Sequence, residues 1–177
     1  MTEGPAPTTV VLALGNLIRS DDAVGLFALR RLQVDSRVPP SVSLVEGGTK
    51  GLELVPYVSD TSRLLVLDAV EVGALAGTVL RITGDELQAL PSGSSVHDFA
   101  LADILNALRL VGTEPQETVL IGVQPATTEL GTSLSPPVQA ALPALVEAVL
   151  SELSSWTSSS PSHSPAATER AKNGFGP

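Results

Sequence analysis

The sequence has no cysteine, few aromatic side chains, little positive charge and no long apolar run. Without cysteine, disulfide frameworks, thiolate metal sites and cysteine nucleophiles are excluded together. Any metal ion would have to be held by oxygen and imidazole. Aromatic residues make up 3% of the 177, so aliphatic packing must carry the core, and the rings that usually stack on sugars are missing. No stretch approaches the roughly 20 apolar residues that cross a bilayer. The N-terminal MTEGPAPTT lacks a basic segment followed by a hydrophobic one, so no signal peptide and a cytoplasmic location are expected. Ten Lys and Arg stand against 19 Asp and Glu, a net charge of −9. That balance argues against nucleic acid, whose phosphates demand clustered basic residues. Phosphate-loop, GxSxG and HExxH patterns are absent, and the second of only two histidines, His163, lies in a serine-rich tail where no role is assigned to it.

What is present is an alternation of strand and helix patterns. Thr9 to Leu14 is a continuous β-branched and aliphatic run, as expected of a strand buried on both faces. Gly15-Asn16 ends it, and Asp21 or Asp22 is placed to cap a helix over Ala23 to Leu32, with Val24, Phe27 and Ala28 on one face. Further strands are expected at Val42 to Val45, Leu64 to Leu67, Thr78 to Ile82 and Thr118 to Val123. Short helices fit Leu52 to Val58 and Asp85 to Leu90. Longer ones fit His97 to Leu110, striped by Leu101, Ile104, Leu105 and Leu108, and Pro136 to Leu153, which Pro143 should kink. Residues 154–177 contain seven serines and little to bury, so they read as a disordered tail after a single domain of residues 1–153. The alternation implies an α/β sandwich around a largely parallel sheet.

In such sheets ligands bind beyond the carboxyl ends of the strands, and acid recurs there: Asp21 and Asp22 after the first strand, Glu46 after the second, Asp68 after the third. Asp68 follows four aliphatic residues. An ionised carboxylate in that position is costly unless hydrogen-bonded, paired or metal-bound, and backbone capping is the alternative reading. Asp21 and Asp22 are adjacent, so one can cap while the other faces the sheet end. His97 starts its helix on the stripe that faces the sheet, where the helix dipole favours a neutral imidazole. Asp22, Asp68 and His97 together form an O, O, N set suited to nickel or zinc.

These residues resemble the maturation endopeptidases of nickel–iron hydrogenases. The likeness runs from about Val10 to Leu153 through GNLIRSDDAVG, EGGTKG, LLVLDAV and HDFALADILNAL, in that order, with the late strand LIGVQP also matching. The resemblance implies a three-layer α/β sandwich, a twisted and largely parallel sheet of about five strands with helices on both faces. It also implies an activity: an endopeptidase that removes the C-terminal extension of the hydrogenase large-subunit precursor after nickel insertion. The family's metal-binding and catalytic positions map onto Asp22, Asp68 and His97, and its substrate-recognition loop onto Glu46, Gly47, Gly48 and Thr49. The nickel would arrive in the substrate, with zinc or cadmium able to stand in for it in a crystal. The partner is the precursor, with neither nucleic acid nor membrane, and a monomer is expected. The chain departs from the family pattern at Ala13, where glycine is usual, at Asp22, where some members carry Glu, and at Glu46, where Asp is commoner. Two other readings stay open at this point: a non-enzymatic nickel-binding assembly factor, and a related α/β peptidase acting on another precursor.

Overall fold

The computed structural model describes residues 8–87 and 98–158. In chain order the elements are β1 (Thr9–Leu14), a 3-10 turn (Ser20–Ala23) running into α1 (Val24–Leu32), and β2 (Val42–Gly48). A second 3-10 turn (Gly51–Leu54) leads into α2 (Val55–Val58), followed by β3 (Arg63–Ala69), β4 (Val79–Thr83) and α3 (Gly84–Leu87). The order closes with α4 (Asp98–Val111), β5 (Glu117–Val123) and α5 (Pro136–Ser158). The sheet order is β2-β1-β3-β5-β4. All neighbours run parallel except β4, which lies antiparallel to β5 at one edge.

Alternation along the strands builds the two cores. Val11 and Ala13 of β1 and Leu65 and Leu67 of β3 face α1 and α5. Leu12 and Leu14 of β1 and Leu64 and Val66 of β3 face α2 and α4. A strand covered by helices on both sides needs apolar residues at every position, which is why β1 and β3 are aliphatic nearly throughout. Of the helix stripes expected from spacing, Leu101, Ile104 and Leu108 on α4 and Val138, Leu142, Leu145 and Val149 on α5 are buried, and Leu105 is half-buried.

Several strand ends differ from the sequence expectation. β2 continues through Glu46, Gly47 and Gly48, because its parallel pairing with β1 persists past Val45, with an irregularity between Ala13 and Leu14. β3 continues through Asp68 to Ala69, so Asp68 is a strand residue opposite Gly122 of β5. β4 is shifted on by one residue at each end, to Val79–Thr83.

The last helix passes through Pro143 and ends at Ser158, beyond the expected Leu153. The reason is Trp156, which is buried against the sheet side of α5. The Arg63 guanidinium lies 5.7 Å from the centre of its ring and donates a hydrogen bond to the Trp156 carbonyl. Residues 154–158 therefore belong to the packed domain. Glu152, also buried, accepts two hydrogen bonds from Arg81 of β4 at 2.7 and 2.9 Å, fastening the same helix to the sheet edge.

Candidate active site

The carboxyl ends of β1, β3 and β5 lie at one end of the sheet because these strands are parallel neighbours. Asp22 reaches that end on the 3-10 turn, which packs against β3. Two glycines make the approach possible. At Gly15, with φ of 133°, a Cβ would fall 2.1 Å from the Asp22 carbonyl oxygen. At Gly25 a Cβ would fall 2.5 Å from the carbonyl of Leu67 and 2.7 Å from that of Leu14. The first turn of α1 thus rests on the backbone of β1 and β3, one residue short of Asp68. Asp22 is 1% exposed and Asp68 3% exposed, so both carboxylates are held out of bulk water. Asp68 Oδ1 accepts the Ala69 N–H at 2.8 Å. By strand alternation Asp68 shares the face of Leu64 and Val66, the side covered by α4.

The adjacent aspartates have separate tasks, and neither caps its own helix as the spacing suggested: the residues preceding the 3-10 turn and α1 are Arg19 and Ala23, with no side-chain cap bond at either. Asp21, fully buried, is occupied elsewhere. Its carboxylate accepts the N–H groups of Ala126 at 2.8 Å, Thr127 at 3.1 Å and Ser135 at 2.6 Å, and the Ser135 hydroxyl at 2.8 Å. It therefore ties the turn after β1 to the whole β5–α5 connection. The arrangement suits α5, whose first two residues, Pro136 and Pro137, bring no N–H to satisfy. A carboxylate beside the N-terminus of a helix is also favoured by the helix dipole.

Gln124, to which the sequence alone assigns no role, is a second buried organiser at 3% exposure. Its Oε1 accepts the N–H of Val72 at 2.9 Å and of Ala74 at 3.1 Å, while its Nε2 donates to Glu71 Oε1 at 2.7 Å. This side chain helps hold down the loop after β3. The signal was present in the sequence: a polar residue directly after an aliphatic run, as with Asp68.

Glu46 stands apart. It is exposed, on the edge strand two positions from β3 in the sheet, a lateral distance of roughly 10 Å. Its strand alternation is that of Val42 and Leu44, which face α1 and α5, the face opposite Asp68. Glu46 and Asp68 are thus not gathered into one site. Gly47 is buried beneath it, where a Cβ would meet Leu12 and Leu54, and Thr49 is exposed. Among the described residues no three His, Asp or Glu side chains are grouped as a metal site. His97, the nitrogen member of the expected set, lies outside the described residues.

A mostly parallel α/β sheet with buried aspartates at the carboxyl ends of adjacent strands β1 and β3 defines a domain with a carboxylate site at its strand ends. Comparison with known proteins gives that class a family. The family description "Hydrogenase maturation protease" matches residues 28–152. The hydrogenase expression/formation protein HupD of Rhizobium leguminosarum bv. viciae is 33% identical over 155 residues, 86% of this chain and 77% of that protein. The hydrogenase 2 maturation protease of Escherichia coli K12 is 34% identical over 146 residues, 81% of this chain and 89% of its own. The solved structure of the E. coli hydrogenase maturating endopeptidase HybD superposes with a TM-score of 0.78 at 30% identity, covering 84% of this chain and 93% of that one. The chain belongs to the hydrogenase maturation protease family, and it is an endopeptidase.

Proposed function

We propose that this endopeptidase removes the C-terminal extension from the large-subunit precursor of a nickel–iron hydrogenase once nickel is in place, and that it recognises the precursor through that nickel. The carrying observation is the placement of Asp22, on a turn packed against β3, beside the strand that holds Asp68, with both carboxylates buried. Burying a carboxylate costs free energy that hydrogen bonds or a cation offset. Donor chemistry supports the same reading: carboxylate oxygens, with His97 as the imidazole partner, suit a borderline divalent ion.

In this reading Asp22, Asp68 and His97 hold the nickel that the precursor carries in, and the ion supplies positive charge beside the bond to be cut. The chain orients that bond by gripping the metal next to it. Hydrolysis adds water across one peptide bond: the water oxygen bonds to the carbonyl carbon, the C–N bond breaks, and the amine leaves with a proton. A carboxylate within reach of the water can accept its proton as general base. Glu46, Gly47, Gly48 and Thr49 lie farther out along β2 and its end, and they serve to recognise the substrate chain.

The test is a mass measurement. Purified chain mixed with nickel-loaded precursor should give a shortened large subunit, and Asp22→Asn, Asp68→Asn and His97→Ala should each abolish shortening while keeping the fold. Full processing by all three variants would overturn the reading.

A further inference from the structure

Large apolar side chains stand exposed on the loops that leave the strand ends above the site: Ile18 at 57%, Leu130 at 82%, Leu75 at 86% and Val72 at 41%. Isolated exposed apolar residues are ordinary. What sets these apart is that their backbones are fixed. The Gly131 N–H donates to the Ile18 carbonyl at 3.1 Å, and the Ser20 N–H donates to the Gly131 carbonyl at 2.9 Å, so the loops after β1 and β5 zip together as a short parallel bridge. Arg19 Nε adds a bond to the Thr128 carbonyl at 3.1 Å. Asp21 bolts the same two loops from beneath. Val72 is pinned through its own N–H by Gln124, and the Gly77 N–H donates to the Gln124 carbonyl at 2.8 Å. Ser20 holds a φ of 46°, a left-handed conformation that L-residues adopt at a cost. Such a conformation persists where the surroundings over-determine it.

We infer that this pinned rim, led by Ile18 and Leu130, is the docking surface for the folded body of the protein substrate. The inference rests on the function proposed above and deepens it. The rim springs from the same strand ends as the aspartates, so a polypeptide whose cleavage point reaches Asp22 and Asp68 must lay its remaining mass across these loops. A preordered apolar surface loses little conformational freedom on binding. It therefore suits a partner that is itself folded, such as a metal-loaded precursor, better than a flexible peptide, which would need only the strand-end carboxylates. The rim acts as a gauge of the precursor's folded body beside the metal sensed by the carboxylates.

The experiment compares wild type with Ile18→Ser/Leu130→Ser and with Leu110→Ser, a control at the far end of α4 that is 87% exposed. All three should unfold at the same temperature, because the altered residues are solvent-facing. With nickel-loaded precursor the double variant should raise KM about tenfold or more and leave kcat within about twofold, while the control changes neither. Calorimetric titration of the uncut precursor into each protein reads docking apart from cleavage, and the double variant should weaken Kd by a similar factor. If wild type binds the precursor without cutting it, the proposed activity fails, but a weakened double variant still upholds the rim. KM and Kd unchanged in the double variant, or no binding by wild type, would overturn it. So would sedimentation showing a wild-type dimer that the double variant dissolves with KM intact, since the rim would then belong to a second copy of the chain.

Discussion

The α-carbon of Gly25 sits so close to the Leu67 carbonyl that a methyl group there would come within 2.5 Å of the oxygen. This contact sets the height of α1 above the sheet and, through the turn three residues earlier, the position of Asp22 beside β3. Both atoms it would strike are backbone, the Leu67 and Leu14 carbonyls, so no flexible side chain can yield. Gly25→Ala should cost about 2 kcal/mol by overpacking. It should also reduce precursor processing further than that loss of stability explains, because the helix must lift and take Asp22 with it. Thermal unfolding and processing rate, measured at a temperature where the variant is fully folded, separate the two effects.

Asp21→Ala removes the acceptor for three backbone N–H groups and one hydroxyl, all in the β5–α5 connection. Leaving such donors unmatched in a buried place should cost about 3 kcal/mol. Asn at the same position should recover part of the loss, since its one amide oxygen can accept the bonds made to Oδ2 while its NH2 turns a donor toward the Ser135 N–H. Chemical denaturation of both variants checks the size of the loss. An Asp21→Asn protein as stable as wild type would show that the carboxylate charge is unimportant there.

Truncation distinguishes the end of α5 from the residues after it. A chain ending at Leu153 loses Trp156, which is 5% exposed and covered by Arg63. The expected cost is about 3 kcal/mol, by analogy with deleting a large aromatic from a core. A chain ending at Ser158 keeps that contact and should match the full-length protein to within about 0.5 kcal/mol. Melting temperatures of the two truncations decide it.

Hydrogen bonds from the Arg37 side chain and then its backbone hold the Asp35 carboxyl below its usual value of 3.8. The same guanidinium bridges to Glu147 of α5 at 2.8 Å, and its own pKa is raised by these partners. A depressed folded-state pKa means the stabilisation is present above the unfolded value and disappears as pH falls through the folded one. Arg37→Gln should therefore lower the melting temperature slightly at neutral pH, and the difference from wild type should shrink below pH 3.8. Added salt should shrink it as well, because the cluster is exposed. A difference that grew on acidification would refute this assignment.

The fold was legible where burial imposes a pattern. β1 matches its expected ends because both faces of the strand are covered and the apolar run is unbroken. β2 was less so: Glu46 and the two glycines break the apolar run, yet the backbone continues to pair with β1, and pairing leaves no mark in side-chain chemistry. Asp68 could be recognised as anomalous from its aliphatic neighbours alone. The assignment of Asp21 could not, since its partners begin 105 positions away in sequence. Adjacency announced that two aspartates would divide the work, but only the return of the β5–α5 connection shows that Asp21 is the one that ties the loops together. Glu46 illustrates a related limit: strand ends share an end of the sheet, but alternation decides the face.

The sole indole of the chain is wedged at the start of β3, beside Arg63, and Asp68 lies five residues farther along the same strand, about 17 Å away. Intrinsic fluorescence excited at the red edge will consequently report whether the last helix is seated and stay blind to events among the carboxylates. A titration with precursor that left the emission unmoved would be no sign of failed association, and an optical probe of the working end has to be introduced by design.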